Sequence, residues 1–237
     1  MLTLAFVANG IARYSLDGSS VWNVDEIKTA LVDISNNKCA YCELPLGEGA
    51  AYVEVEHFLA KSHHPDRVLE WDNLLPACRR CNGKKSDWDV TIPGQMMVDP
   101  ATMDPRVHIQ IDEAYRPIGL TPEGENTIVE IALDDIQRLG VMRYKLGEKF
   151  KRKIEELYDL YTTVLLAPTT RKRRAAIRKI KGALEMSGPD QPFSAVIATV
   201  LMRSANYAAL KAEMLAAGDW DAELQAYDLS ATEAALA

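Results

Sequence analysis

The chain has 237 residues, 48% of them apolar and 26% charged, a globular composition that excludes a disordered or collagen-like protein. No stretch reaches the roughly 20 apolar residues of a membrane helix, and no basic segment precedes the mildly apolar start, so a cytoplasmic protein without membrane association is expected. The net charge of −7 excludes a surface coated all over with nucleic acid, yet residues 138–181 hold 14 basic and 4 acidic side chains.

Residues 1–20 read as an arm or short strand, with turns at Asn9-Gly10 and Asp17-Gly18. Asn23-Val-Asp-Glu26 then has the pattern of an N-cap with a carboxylate three residues on. Ile27, Ala30, Leu31 and Ile34 follow at helical spacing, which predicts a helix ending just before Cys39 and an N-terminal region over 1–37.

All four cysteines fall in two pairs, Cys39-Ala-Tyr-Cys42 and Cys78-Arg-Arg-Cys81. A two-residue spacer lets a tight turn aim two thiolates at one metal, and two such knuckles suit one tetrahedral zinc. Disulfides or a redox pair are the rival reading. No secretory signal supports the first, and the second needs one pair only.

Between the knuckles stand Tyr52-Val-Glu-Val-Glu-His57, then Trp71-Asp-Asn73-Leu-Leu, then Cys81-Asn82-Gly-Lys-Lys85. Tyr52, Val53 and Val55 favour a strand. Asn73-Leu74-Leu75 is expected to begin a short turn or helix, and Cys81-Asn82 to open another helical turn carrying Lys84 and Lys85.

From about residue 38 to 89 the chain resembles the HNH endonucleases of the ββα-metal class. Glu-His at a strand end, Asn-Leu-Leu, the C-x2-C-Asn-x-x-Lys run and both knuckles stand in family order. The resemblance implies a two-strand-plus-helix site with one divalent cation, stapled by zinc. His57 would activate water, because an imidazole accepts a proton at neutral pH. Glu56 and Asn82 would hold Mg²⁺ or Mn²⁺ through oxygen atoms, Asn73 would orient His57, and Lys85 would sit on a phosphate. Two departures stand out: Glu56 and Asn82 occupy positions where the family usually has Asp or His. Adjacent strand residues also point to opposite faces, so Glu56 and His57 share a site only if the strand bends or ends there, and Glu54 is the alternative ligand. Each residue has a plainer reading too: His57 as a core histidine, Asn73 as a cap, Asn82 as a turn residue. Lys61 and Lys84 are candidate nucleic-acid contacts beside this module, which is placed at 38–92.

Residues 93–130 are rich in Pro and Gly and read as a connector, with a short strand at His108-Ile-Gln-Ile111. Val98-Asp-Pro100, His108-Ile-Gln-Ile111, Ile128–Leu133 and Arg138-Leu-Gly-Val-Met-Arg143 are together similar to the PtuB subunits of Septu-type and retron-associated anti-phage systems. That likeness implies a PtuA-like ATPase partner, and products with 5′-phosphate and 3′-hydroxyl ends.

Residues 131–237 are predicted helical. Leu146, Phe150, Ile154, Leu157, Tyr161 and Leu165 recur every three or four residues, with Gly140 and Gly147 as weak points and Pro168 as the stop. Thr170 is expected to cap a second helix, Phe193–Ala217 to form a third, and 221–237 a fourth helix or a tail. The basic residues Lys151, Arg152, Lys153, Arg171, Arg173 and Arg174 read as a phosphate-tracking surface for DNA, with RNA as the other polyanion, or else as a solvated face or a contact to an acidic subunit. The expected architecture is α+β, a zinc-stapled ββα-metal HNH module followed by an α-helical domain. The expected activity is phosphodiester hydrolysis. An inactive zinc-binding adaptor is the reading of a different class.

Overall fold

A computed structural model describes residues 3–47, 52–166 and 168–236. Met1, Leu2 and Ala237, which belong to the predicted arm and tail, lie outside them. The chain forms two compact units. One comprises Met1–Ile109 and Pro117–Asp135, the other Gln110–Arg116 and Ile136–Ala237.

The first unit opens on a helix, α1 (Leu4–Asp17), where an arm or strand was expected. Thr3 caps it by accepting a hydrogen bond from Phe6 N, and Gly18 closes it with a left-handed φ of 71°. Asn9-Gly10 does not turn. Gly10 is buried inside the helix, where a Cβ would stand 2.3 Å from Leu69 Cδ1. The next helix, α2 (Asp25–Ile34), starts after Val24 without a side-chain cap, so Asn23 does not act as the N-cap. It buries Ile27 and Leu31 against Trp22, Val55, Val68, Leu69 and Leu74.

Strand β1 (Val53–His57) pairs antiparallel with β2 (Leu74–Cys78), in a register that sets Val53 opposite Cys78 and His57 opposite Leu74. The segment from Leu74 is therefore a strand. The predicted turn is confined to the 3₁₀ residues Trp71–Asn73. Helix α3 (Arg79–Lys85) follows β2 directly and completes the two-strand-plus-helix module. The connector holds a helical turn α4 (Pro105–His108), short strands β3 (Ile109–Ile111) and β4 (Pro117–Gly119), and α5 (Pro122–Ile131). His108 thus ends a helical turn, and the strand expected from it begins one residue later.

The second unit is helical: α6 (Val141–Leu166), α7 (Thr170–Leu184), α8 (Ser194–Arg203), α9 (Ala205–Ala216) and α10 (Ala222–Ala234). Helix α6 buries Phe150, Ile154, Leu157 and Tyr161, and it runs unbroken through Gly147. The missing side chain there admits the ring of Tyr115, 2.6 Å from where a Cβ would lie. Thr169, not Thr170, caps α7. The long third helix is two, because Ser204 leaves the helical conformation and caps α9 by accepting from Tyr207 N. No helix among the described residues is long and apolar enough to cross a membrane.

Candidate active site

The thiols of Cys39, Cys42, Cys78 and Cys81 lie within 4.8 Å of one another, all on buried residues. Cys42 Sγ and Cys78 Sγ are 3.9 Å apart. Ligands at about 2.3 Å in a tetrahedron stand roughly 3.8 Å from each other, so the cluster fits a zinc ion. Local structure explains the convergence. An antiparallel bridge between Lys38 and Pro45 closes the first knuckle, with Glu43 in the left-handed region, and the end of β2 delivers Cys78 as α3 begins. Cys78 N donates to Cys39 Sγ at 3.3 Å. Hydrogen bonding from Cys39 holds Cys78 far below, and Cys42 down to about 7 from, the ordinary thiol range. Cys39 and Cys81 rise as the proton-bearing partners. A dication bound by the four thiolates would take over the role of those shared protons. Arg80 reaches out to Asp135.

Glu54 and Glu56 alternate onto one face of β1, and α3 answers each of them. Asn82 Nδ2 donates to Glu54 Oε2 at 2.6 Å, with both residues half-buried. Lys85 Nζ stands 2.8 Å from Glu56 Oε1 and donates to the His57 carbonyl at 2.9 Å. Lys85 and Glu56 are almost wholly enclosed, their side chains 0% and 3% exposed. Burial pushes the Glu56 carboxyl above its ordinary range, and the Lys85 charge works against that rise. Lys85 therefore faces inward, away from where a phosphate could reach it. Lys84, next to it, is exposed.

The imidazole of His57 occupies the other face of β1. It packs edge-on against Trp22, with ring centroids 4.6 Å apart. Its Nε2 is 3.0 Å from the carbonyl oxygen of Val68. A carbonyl only accepts, so Nε2 carries the hydrogen and Nδ1 keeps the lone pair. Nδ1 is buried and has no hydrogen-bond partner among the described residues. Desolvation lowers the ring's pKa to about 4, which keeps it neutral at pH 7. Lys61 lies over the Trp22 ring, 5.5 Å from its centroid, and its charge also lowers His57. Asn73 makes no hydrogen bond to the imidazole. Its Oδ1 accepts from Leu59 N at 2.6 Å, and its Nδ2 donates to the carbonyls of Leu59 and Arg67 at 3.2 and 3.1 Å. It clamps both ends of the loop that leads from His57 to Val68.

The structure thus gathers Glu54, Glu56, Asn82 and Lys85 on one face and sets the His57 ring on the opposite one. Two partners of that ring have no counterpart in the motif. Trp22 precedes a helix with nothing to mark it, and Val68 contributes a backbone atom that no residue type encodes.

The HNH endonuclease family model matches residues 39–87, the span from the first knuckle to just past α3. The Septu protein PtuB of Bacillus thuringiensis is 35% identical over 211 residues, covering 88% of this chain and 81% of that protein. The chain belongs to the PtuB family. A second PtuB, from Bacillus mycoides (strain KBAB4), is 25% identical over 174 residues, 59% of this chain and 57% of that one. No solved structure matches the chain. For this PtuB-family chain the match places the HNH domain on the four-cysteine module and leaves the helical unit outside it.

Of the oxygen donors, Glu54 and Asn82 are neighbours and partly accessible, and they fit a hard divalent cation once the Asn82 amide turns Oδ1, in place of the Nδ2 that donates to Glu54, toward the ion. Glu56 fits only once Lys85 releases it. On the helical unit, Lys151, Arg152, Arg171 and Arg174 are exposed. Lys153 lies 3.8 Å from Glu156, and Arg173 is bound to Asp219 at 2.6 Å.

Proposed function

We propose that this chain is the metal-dependent nuclease of a Septu-type defence system, hydrolysing phosphodiester bonds, with DNA as the substrate and a PtuA-like ATPase as the partner that gates it in the cytoplasm. The observation that carries the reading is the unpartnered Nδ1 of His57, fixed as a lone pair by the Val68 carbonyl. A buried acceptor without a partner costs about 1–3 kcal/mol, and a water hydrogen placed there removes that cost.

Once the end of β1 opens and brings the buried ring round to the face that carries Glu54 and Asn82, His57 accepts the proton of that water at Nδ1, and the resulting hydroxide attacks phosphorus as the 3′ oxygen departs and takes a proton from solvent. The Lys61 charge beside the ring favours the approach of a phosphate. Asn73 acts through the loop it clamps, holding the Val68 carbonyl that sets the tautomer. Lys85 acts from beneath, tying the His57 backbone to Glu56. When bound at Glu54 and Asn82, with Glu56 as the third donor, Mg²⁺ or Mn²⁺ supplies stabilisation of charge on the phosphate and on the leaving oxygen.

Closure of Glu56 onto Lys85 favours a second reading, a zinc-stapled adaptor that does not cut. Wild-type chain and His57→Ala, incubated with plasmid DNA and total RNA in Mg²⁺ or Mn²⁺, with and without the ATPase, separate the two. The nuclease reading expects His57→Ala to lose about 10²–10⁴-fold in cleavage rate. Undiminished cutting by that variant removes His57 as the base. A wild-type chain that never cuts establishes the adaptor, and cleavage of RNA alone moves the substrate.

A further inference from the structure

Helix α7 turns a continuous cationic face to solvent. Arg171, Lys172, Arg174, Arg178 and Lys179 are all exposed. At about 100° per residue they fill the arc opposite Ala176, Ile180, Ala183 and Leu184, the side chains α7 buries. The other cations of the helix are engaged within the unit: Arg173 holds Asp219, and Lys181 holds Asp221 and Glu223. The five form no ion pair among the described residues. Five like charges over roughly 12 Å of helix repel one another until a counter-charge arrives.

The chemistry of the face selects its ligand. It carries no apolar or aromatic side chain, whereas protein interfaces centre on apolar and aromatic anchors and are poor in lysine. Without an aromatic it offers no platform for unstacked bases, which disfavours a single strand. Without Asn or Gln it lacks the amides that read adenine, and five cations alike in charge distinguish one phosphate from the next no better than one base step from another. What remains is a row of charges for a backbone that presents one phosphate per roughly 1.7 Å of duplex. Outside 138–181 the chain carries 13 basic and 30 acidic side chains, so a polyanion is repelled elsewhere and steered to this segment. On α6, Lys145, Lys149 and Arg152 add a second exposed stripe at i, i+4 and i+7.

We propose that the solvent face of α7 is a sequence-independent docking surface for the phosphate backbone of double-stranded nucleic acid. The proposal deepens the nuclease reading and rests on it for the ligand's role, but it is tested by binding alone. The measurement is the affinity of the full-length chain for a fluorescent 25-base-pair DNA duplex in EDTA, where no cleavage occurs, as a function of salt. Arg171→Gln, Arg174→Gln and Arg178→Gln together are expected to weaken binding at least tenfold. They should also lower the slope of log affinity against log salt by about 0.9 for each phosphate no longer neutralised. Arg13→Gln, Lys28→Gln and Arg116→Gln together change net charge equally and serve as the control. Equal slopes for the two triple variants overturn the proposal, as does normal duplex binding combined with failure to hold the ATPase, which would make the face a protein-binding one. Lys172→Gln with Lys179→Gln probes the same arc independently should the first set not fold. A chain that binds and never cuts sinks the nuclease reading and leaves this one standing; one that cuts with an unchanged slope does the reverse.

Discussion

Lys85 and Glu56 neutralise each other at 2.8 Å in a place water does not reach. The pair ties α3 to β1 at the point where β1 presents His57, and the same ammonium holds the His57 carbonyl at 2.9 Å. A buried pair adds little over an apolar replacement of both partners, but loss of one partner leaves an uncompensated charge. Lys85→Met is therefore expected to destabilise the chain by about 3–5 kcal/mol in urea unfolding, with Lys85→Met/Glu56→Gln recovering much of the loss. If the double variant is no more stable than the single one, the pair is not the element that holds α3 to β1.

Acid should reveal the enclosed imidazole. The pKa of His57 is about 4 in the folded chain and 6.5 ordinarily, so between those values the unfolded chain binds the extra proton. Stability is therefore lost as pH falls from 6.5 towards 4, by up to about 3 kcal/mol from this group. Glu56, whose pKa is raised, works in the opposite direction, so the comparison must be with a variant that changes the ring alone. Urea unfolding of His57→Asn between pH 4 and 7 is expected to lack this acid-sensitive component. Parallel pH profiles for the two chains would mean that the ring is not desolvated.

One zinc per chain is expected by elemental analysis, and its removal should unfold the module. The first knuckle and the start of α3 are joined through the four thiols, so chelation is expected to lower the melting temperature, and Cys81→Ser to act likewise. A well-folded chain free of zinc would remove the staple.

Gly147→Ala tests the packing of α6. The added methyl would meet the ring of Tyr115, which stands on a backbone of φ 61°. Overpacking of this kind costs about 1–3 kcal/mol, and the gain in helix propensity of about 1 kcal/mol offsets part of it. A lower melting temperature is expected. A higher one would show that Tyr115 yields easily.

Much of the module was legible because its residues carry their chemistry in their spacing. Four thiols in two C-x2-C pairs allow few arrangements, and the apolar recurrence from Leu146 to Leu165 describes the buried stripe of α6. Local signals misled where tertiary packing decides. Asn9-Gly10 looks like a turn, yet Gly10 lets α1 approach Leu69. Ser204 divides α8 from α9 with neither Gly nor Pro to announce it. At the site, the motif named His57, Glu56, Asn82 and Lys85 but not their pairing. Alternation along β1 sends the imidazole one way and both carboxylates the other, and the length of Lys85 lets it reach Glu56.

Because the partner of His57 Nε2 is a main-chain oxygen, replacing the side chain at position 68 does not delete the hydrogen bond. What the imidazole depends on is the path of the segment from Phe58 to Arg67, pinned at either end by the Asn73 amide. Insertions or deletions in that stretch, far more than exchanges of its letters, are the changes that would retune or silence the proposed base.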